Sequence, residues 1–143
     1  MPVKQLSVRM RNRPGALYEV TEVLKHEGVN IRAMEVADTG GGGAVVRLMV
    51  DDPAMATNAF SSKGLDFEEG EVIPLEVPDH PGGLHAVLGA LKEADINVLQ
   101  LHSYLGRSGS HAILILATDE PEKAIAVLKK NWVHVLGEEI YGL

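Results

Sequence analysis

Asn12-Arg13-Pro14-Gly15-Ala16-Leu17 returns sixty-seven residues later as Asp79-His80-Pro81-Gly82-Gly83-Leu84, and Gly28-Val29-Asn30-Ile31 returns at the same offset as Asp95-Ile96-Asn97-Val98. Between these anchors Leu17, Val20, Thr21 and Leu24 fall on Leu84, Val87, Leu88 and Leu91. The offset then grows by one, so that Ala44 to Asp51 align with Ala112 to Asp119, and Pro53 aligns with Pro121. One register held across half the chain with a single insertion identifies a tandem duplication of a unit of about seventy residues. The expected domains are residues 1–70 and 71–143. A unit of that size buries little surface, and the chain has no cysteine to staple it, so the two copies are expected to share an interface.

The periodicity of each copy alternates between two templates. Leu6, Val8 and Met10 alternate with polar neighbours, as do Ile73, Leu75 and Val77, which is the pattern of a strand buried on one face. Each run ends at a proline, and the apolar residues then recur at spacing three and four, as in Leu17, Val20, Val23 and Leu24. Pro14 and Pro81 can occupy the first helical turn, with Asn12 or Arg13 and Asp79 or His80 near the cap. Gly28 stops the first helix. Residues 31–37 and 44–50 read as a hairpin across Asp38 to Gly43, and residues 98–104 and 112–118 as its copy across Gly106 to Ser110. Asp52-Pro53 and Asp119-Glu120-Pro121 open second helices, and residues 65–69 and 133–140 supply fourth strands. The fold class is α+β, with two ferredoxin-like βαββαβ repeats.

Composition narrows the function. Apolar content of 45% is that of a soluble globular chain, and the start Met1-Pro2-Val3-Lys4 has no apolar targeting segment. With no cysteines a cytoplasmic location is expected, and with no apolar run near the roughly 18 residues of a membrane span no membrane partner is expected. The net charge is −7, and it is uneven: residues 1–64 carry eight Lys/Arg against seven Asp/Glu, whereas residues 65–143 carry five against thirteen. Such a chain is a poor ligand for a phosphate backbone, so no nucleic-acid partner is expected. The early arginines Arg9, Arg11, Arg13, Arg32 and Arg47 form either a local basic patch or a solvated face with salt bridges to the acidic half.

The candidate site for any chemistry is the strand-to-helix turn. A helix starting at Pro14 would present free N–H groups and a dipole that favours a carboxylate, and Gly15 would let a ligand approach the backbone without meeting a Cβ. Asn12 adds an amide that both donates and accepts, and Asn30 another at the head of the next strand. An amino acid needs that mixture, although Asn12 as a helix cap, Gly15 as a packing glycine and Asn30 as a turn residue explain the same letters.

These motifs, in this order and repeated, resemble the ACT domain, a family of ferredoxin-like modules that bind small effectors, usually amino acids, beside regulated enzymes. The likeness covers nearly the whole chain. It implies two domains side by side in one eight-stranded antiparallel sheet with helices on one face, and effectors at a shared interface. The first copy is most similar to the serine-sensing ACT domain of phosphoglycerate dehydrogenase, in which asparagines at the positions of Asn12 and Asn30 contact the amino acid. Met10 stands where that pattern has a histidine. In the second copy Val77 stands there, Asp79 replaces Asn12, and Asn97 is retained. The resemblance therefore implies ligand contacts from Asn12, Arg13, Pro14, Gly15, Ala16, Asn30 and Ile31, with a poorer second site at Asp79, His80, Gly82, Gly83 and Asn97.

Other chemistries are thinly supported. Gly40 to Gly43 lacks the Lys-Ser or Lys-Thr of a phosphate loop. His80, His85, His102 and His111 make a metal site conceivable, but none has the HxxxH or HExxH spacing. No GxSxG elbow or cysteine nucleophile is present. The expected protein is thus a non-catalytic, amino-acid-binding regulator without a cofactor, acting on a separate partner enzyme and forming a homodimer or higher homo-oligomer. The alternatives are an assembly module without a ligand and a metal-responsive ferredoxin-like regulator.

Overall fold

The computed structural model describes residues 3–108 and 111–142. It divides into two compact units, one over residues 4–70 and one over the described residues from 71 to 142. In the first unit β1 (Val3–Arg11) leads through α1 (Ala16–His26) to the hairpin of β2 (Ile31–Gly40) and β3 (Gly43–Val50), then to α2 (Pro53–Ser62) and the start of β4 (Asp66–Pro78). Its strands lie in the order β2-β3-β1-β4. Both β1 and β2 run antiparallel to β3, and hence parallel to each other. This is the ferredoxin-like plan.

The alternating residues of the strands explain the packing. Leu6 and Val8 of β1 and Val46, Leu48 and Val50 of β3 point to one face and are closed over by Val20 and Leu24 of α1 and Ala56 and Phe60 of α2. Phe60 also meets Phe67 with ring centroids 5.6 Å apart and planes tilted by 57°. Helix α2 starts as its sequence dictates: Pro53 begins it and the Asp52 carboxylate accepts from Met55 N–H at 3.1 Å.

The second unit repeats the plan with α3 (Gly83–Glu93), β5 (Val98–Ser108), β6 (His111–Thr118), α4 (Pro121–Lys130) and β7 (His134–Val135). Here β4 lies between β6 and β7, and β5 forms the far edge. Ile73, Leu75 and Val77 pack with Leu116 against Val87, Leu91, Ala124 and Leu128. Part of the turn expected at Gly106 to Ser110 lies outside the described residues.

Three expectations are corrected. The strand expected at 65–69 and the one carrying Ile73, Leu75 and Val77 are one continuous strand, β4, so the sheet has seven strands and not the eight expected. The strand expected at 133–140 is only His134–Val135, followed by a 3-10 turn over Glu138–Gly142. The chain turns there to bury Ile140, whose carbonyl accepts from the buried Tyr104 hydroxyl at 2.7 Å. Gly137 N–H donates to the Glu139 carboxylate at 2.9 Å, which stabilises the charged form and holds that carboxyl below its ordinary value. The third correction concerns the starts of α1 and α3. Neither helix begins at its proline: Gly15 and Gly82 are the cap residues, at φ 87° and 90°, and no side chain caps either helix. Asn12, Arg13, Asp79 and His80 are therefore not helix caps.

Candidate functional site

The turn after β1 is pinned at both ends by backbone hydrogen bonds. Asn12 N–H donates to the Gly42 carbonyl at 2.9 Å, tying the turn to the β2–β3 hairpin, and Ala16 N–H donates to the Arg13 carbonyl at 3.1 Å. Gly15 sits between in the left-handed region. A Cβ there would meet only Arg13 Nη1, at 3.9 Å, so its requirement for glycine is conformational and not a matter of space. Arg13 folds over the helix start, donating to Glu19 Oε2 at 2.7 Å and to the Pro14 carbonyl at 3.3 Å. Both side chains of that pair are half exposed, so it contributes at most about 1 kcal/mol.

Asn12, Arg13, Pro14 and Gly15 are exposed, and Ala16 is buried beneath them. The Asn12 side chain has no hydrogen-bond partner among the described residues. It opens onto a cleft of ≈ 700 Å³ between the end of β1, the hairpin glycines Gly41 to Gly43, and Asp66. Arg9, Arg11 and Arg13 all line it. Arg9 is neutralised by Glu68 at 2.8 Å and Asp66 at 3.4 Å.

Asn30 is elsewhere. Its N–H donates to Asp51 Oδ1 at 2.9 Å, while Asp51 N–H returns a bond to the Asn30 carbonyl at 3.0 Å, clasping the base of the β2–β3 hairpin. Asn30 and the half-buried Ile31 border a groove of ≈ 550 Å³ with Tyr18, Glu22 and Lys25 of α1. Since Asn12 adjoins Gly42 and Asn30 adjoins Asp51, the whole of β3 separates them. At the rise of a strand this is on the order of 25 Å. No small ligand within one unit touches both side chains.

The second unit reproduces this backbone. Asn97 N–H donates to Asp119 Oδ1 at 3.0 Å, and Asp119 N–H to the Asn97 carbonyl at 3.2 Å. Asp79, His80 and Gly82 are exposed on the turn and Gly83 is buried. The chemistry there differs: His80 Nδ1 lies 2.8 Å from its neighbour's carbonyl, that of Pro81, and Pro78 occupies the position of Arg11. Gly83 is constrained by space, since a Cβ would run into the Pro78 carbonyl and approach Val77 Cγ1 at 3.2 Å.

Asp51 and Asp119 were not among the expected site residues, although their alignment across the repeats was visible; their role as clasps depends on the hairpin register. Arg11 was seen only as one of several arginines. No group of three or more His, Cys, Asp or Glu residues that could hold a metal ion occurs among the described residues, and no helix there is long and apolar enough to cross a membrane.

The sequence matches the family described as ACT domain pair over residues 1–141. Among solved structures, protein BT0572 from Bacteroides thetaiotaomicron is 30% identical, with a TM-score of 0.92 over 100% of this chain and 98% of that one. The ligand-free regulatory subunit of aspartate kinase from Thermus thermophilus is 13% identical, with a TM-score of 0.63 over 90% and 91% of the two chains. The aspartokinase alpha and beta subunits are 17% identical, with a TM-score of 0.60 over 90% and 91%. At those identities the last two share the fold. No curated protein sequence matches the chain.

Proposed function

The chain belongs to the ACT domain-pair family, and on that premise we propose that it is a non-catalytic cytoplasmic regulator that binds a small amino acid at the Asn12 turn and acts on a separate enzyme. The observation that carries this reading is the exposed Asn12 amide, without a partner among the described residues, at the mouth of a cleft beside a helix start that no side chain caps. A carboxylate is favoured at such a helix start by its free N–H groups and dipole, and the amide can serve either charged group of an amino acid. The fold occurs in a protein named as a regulatory subunit of aspartate kinase, which is the kind of role assigned here. Because Asn12 and Asn30 stand at opposite ends of one sheet, a ligand that uses both takes one from each of two chains, and the sensor is then a homodimer.

Calorimetry and melting curves with the proteinogenic amino acids test this. Ligand at a hundredfold excess over its Kd adds about 2.7 kcal/mol of stability, a shift of several degrees for a chain of this size. The Asn12→Ala variant should fold and lose that shift. No response to any amino acid favours the second reading, an assembly module without a ligand, which Asp79 and Pro78 in the second repeat support. A full response from Asn12→Ala means that the ligand sits elsewhere.

A further inference from the structure

We propose that the cleft beside Asn12 selects an amino acid bearing a second carboxylate, with Arg11 as the partner of that group. This rests on the amino-acid-binding reading and adds the class of ligand. Three arginines line the cleft, and their charges are not equivalent. Arg9 is spent on Asp66 and Glu68, and Arg13 on Glu19. The side chain of Arg11, exposed at the last position of β1, has no hydrogen-bond or ion-pair partner among the described residues.

A guanidinium remains charged at any physiological pH, and its planar donors match a carboxylate in a bidentate pair. Asn12 follows Arg11 directly in sequence, and both line the same cleft, so one small molecule can engage the amide through its amino-acid head and the guanidinium through its side-chain carboxylate. The cleft falls within the usual size range of small-molecule sites, with room for a four- or five-carbon dicarboxylic amino acid. A neutral side chain there would leave Arg11 without an anion, whereas an acidic one cancels it.

The second repeat sharpens the assignment. At the matching turn Pro78 replaces Arg11 and Asp79 replaces Asn12, so the cation is absent and an anion stands where the amide stood. An acidic ligand is repelled there, and one ligand binds per chain.

Calorimetry on the full chain with L-aspartate, L-glutamate, L-asparagine and L-glutamine decides the point, since each acid and its amide have the same shape. The acids should bind about tenfold to a hundredfold more tightly than their amides, the range of one charge-assisted hydrogen bond, and weaken as salt rises because the site is open to solvent. Arg11→Gln should remove that preference by weakening the acids far more than the amides, and Arg11→Lys should restore part of it. Equal binding of acid and amide, or an unchanged preference in Arg11→Gln, overturns the assignment. If neutral amino acids bind in an Asn12-dependent manner without preference for acids, the assignment falls and the sensor reading stands. If no amino acid binds, both fall.

Discussion

The first repeat ends its two helices on glycine, Gly28 at φ 72° and Gly64 at φ 68°, whereas the second reaches the same left-handed backbone with Asp95 at φ 58° and Trp132 at φ 65°. The hydrogen bonds around the four residues are alike: Val29, Leu65, Ile96 and Val133 donate back to Leu24, Phe60, Leu91 and Leu128 at 2.9 to 3.0 Å. The geometry is thus imposed by the packing of helix on sheet, and the second repeat accepts it with side chains that oppose it. Trp132 gains no burial in return, being 93% exposed. The comparison teaches that duplication preserved the backbone plan while the residues that meet it cheaply stand mainly in the first copy.

The strongest way to break this comparison is at the matched pair Ala16 and Gly83. Gly83→Ala should destabilise by about 3 kcal/mol, because the new Cβ meets the Pro78 backbone and not a movable side-chain end. Ala16→Gly, the reverse exchange in the first repeat, should cost only about 1 kcal/mol. Urea unfolding of the two variants measures the contrast, and equal costs would mean that the two helix starts approach their sheets alike.

A second exchange concerns the core. Val50 is buried at the end of β3, and its counterpart Thr118 is also buried in β6, with a hydroxyl that has no partner among the described residues. Thr118→Val should stabilise by about 2 kcal/mol, the cost of an unsatisfied buried polar group. Differential scanning calorimetry should show a rise of several degrees; a fall would reveal that the hydroxyl is satisfied by water and is structurally useful.

The smallest effects belong to the left-handed residues themselves. Asp95→Gly and Trp132→Gly should each stabilise by about 1 kcal/mol, whereas Gly28→Asp and Gly64→Trp should each cost about as much. Trp132→Gly sharpens the comparison most, since a loss of stability in that variant would show that the indole makes contacts worth more than its backbone strain.

Much of the fold was legible because period and punctuation agreed. Leu6, Val8 and Met10 gave the first strand its alternating face, and Asp52-Pro53 and Glu120-Pro121 placed the second helices correctly. The helix starts at Ala16 and Gly83 were misjudged because proline is equally at home in the turn before a helix, and only the positive φ of the following glycine decides between the two. The last strand was overextended because Ile140 reads as a strand residue in sequence, while its burial under the 3-10 turn depends on Tyr104, thirty-six residues away. Of the candidate site, the local turn at Asn12 was readable. Its separation from Asn30 was not, since that follows from the parallel directions of β1 and β2.

That separation has a consequence for how such a sensor would behave in a cell. A ligand that must touch both asparagines has two half-sites on different chains, so its apparent affinity depends on how often two chains meet. Dilution would weaken the response even with the effector held constant, and a titration repeated at several protein concentrations would give curves that do not superimpose. The abundance of the protein would then set the threshold at which the amino acid is noticed.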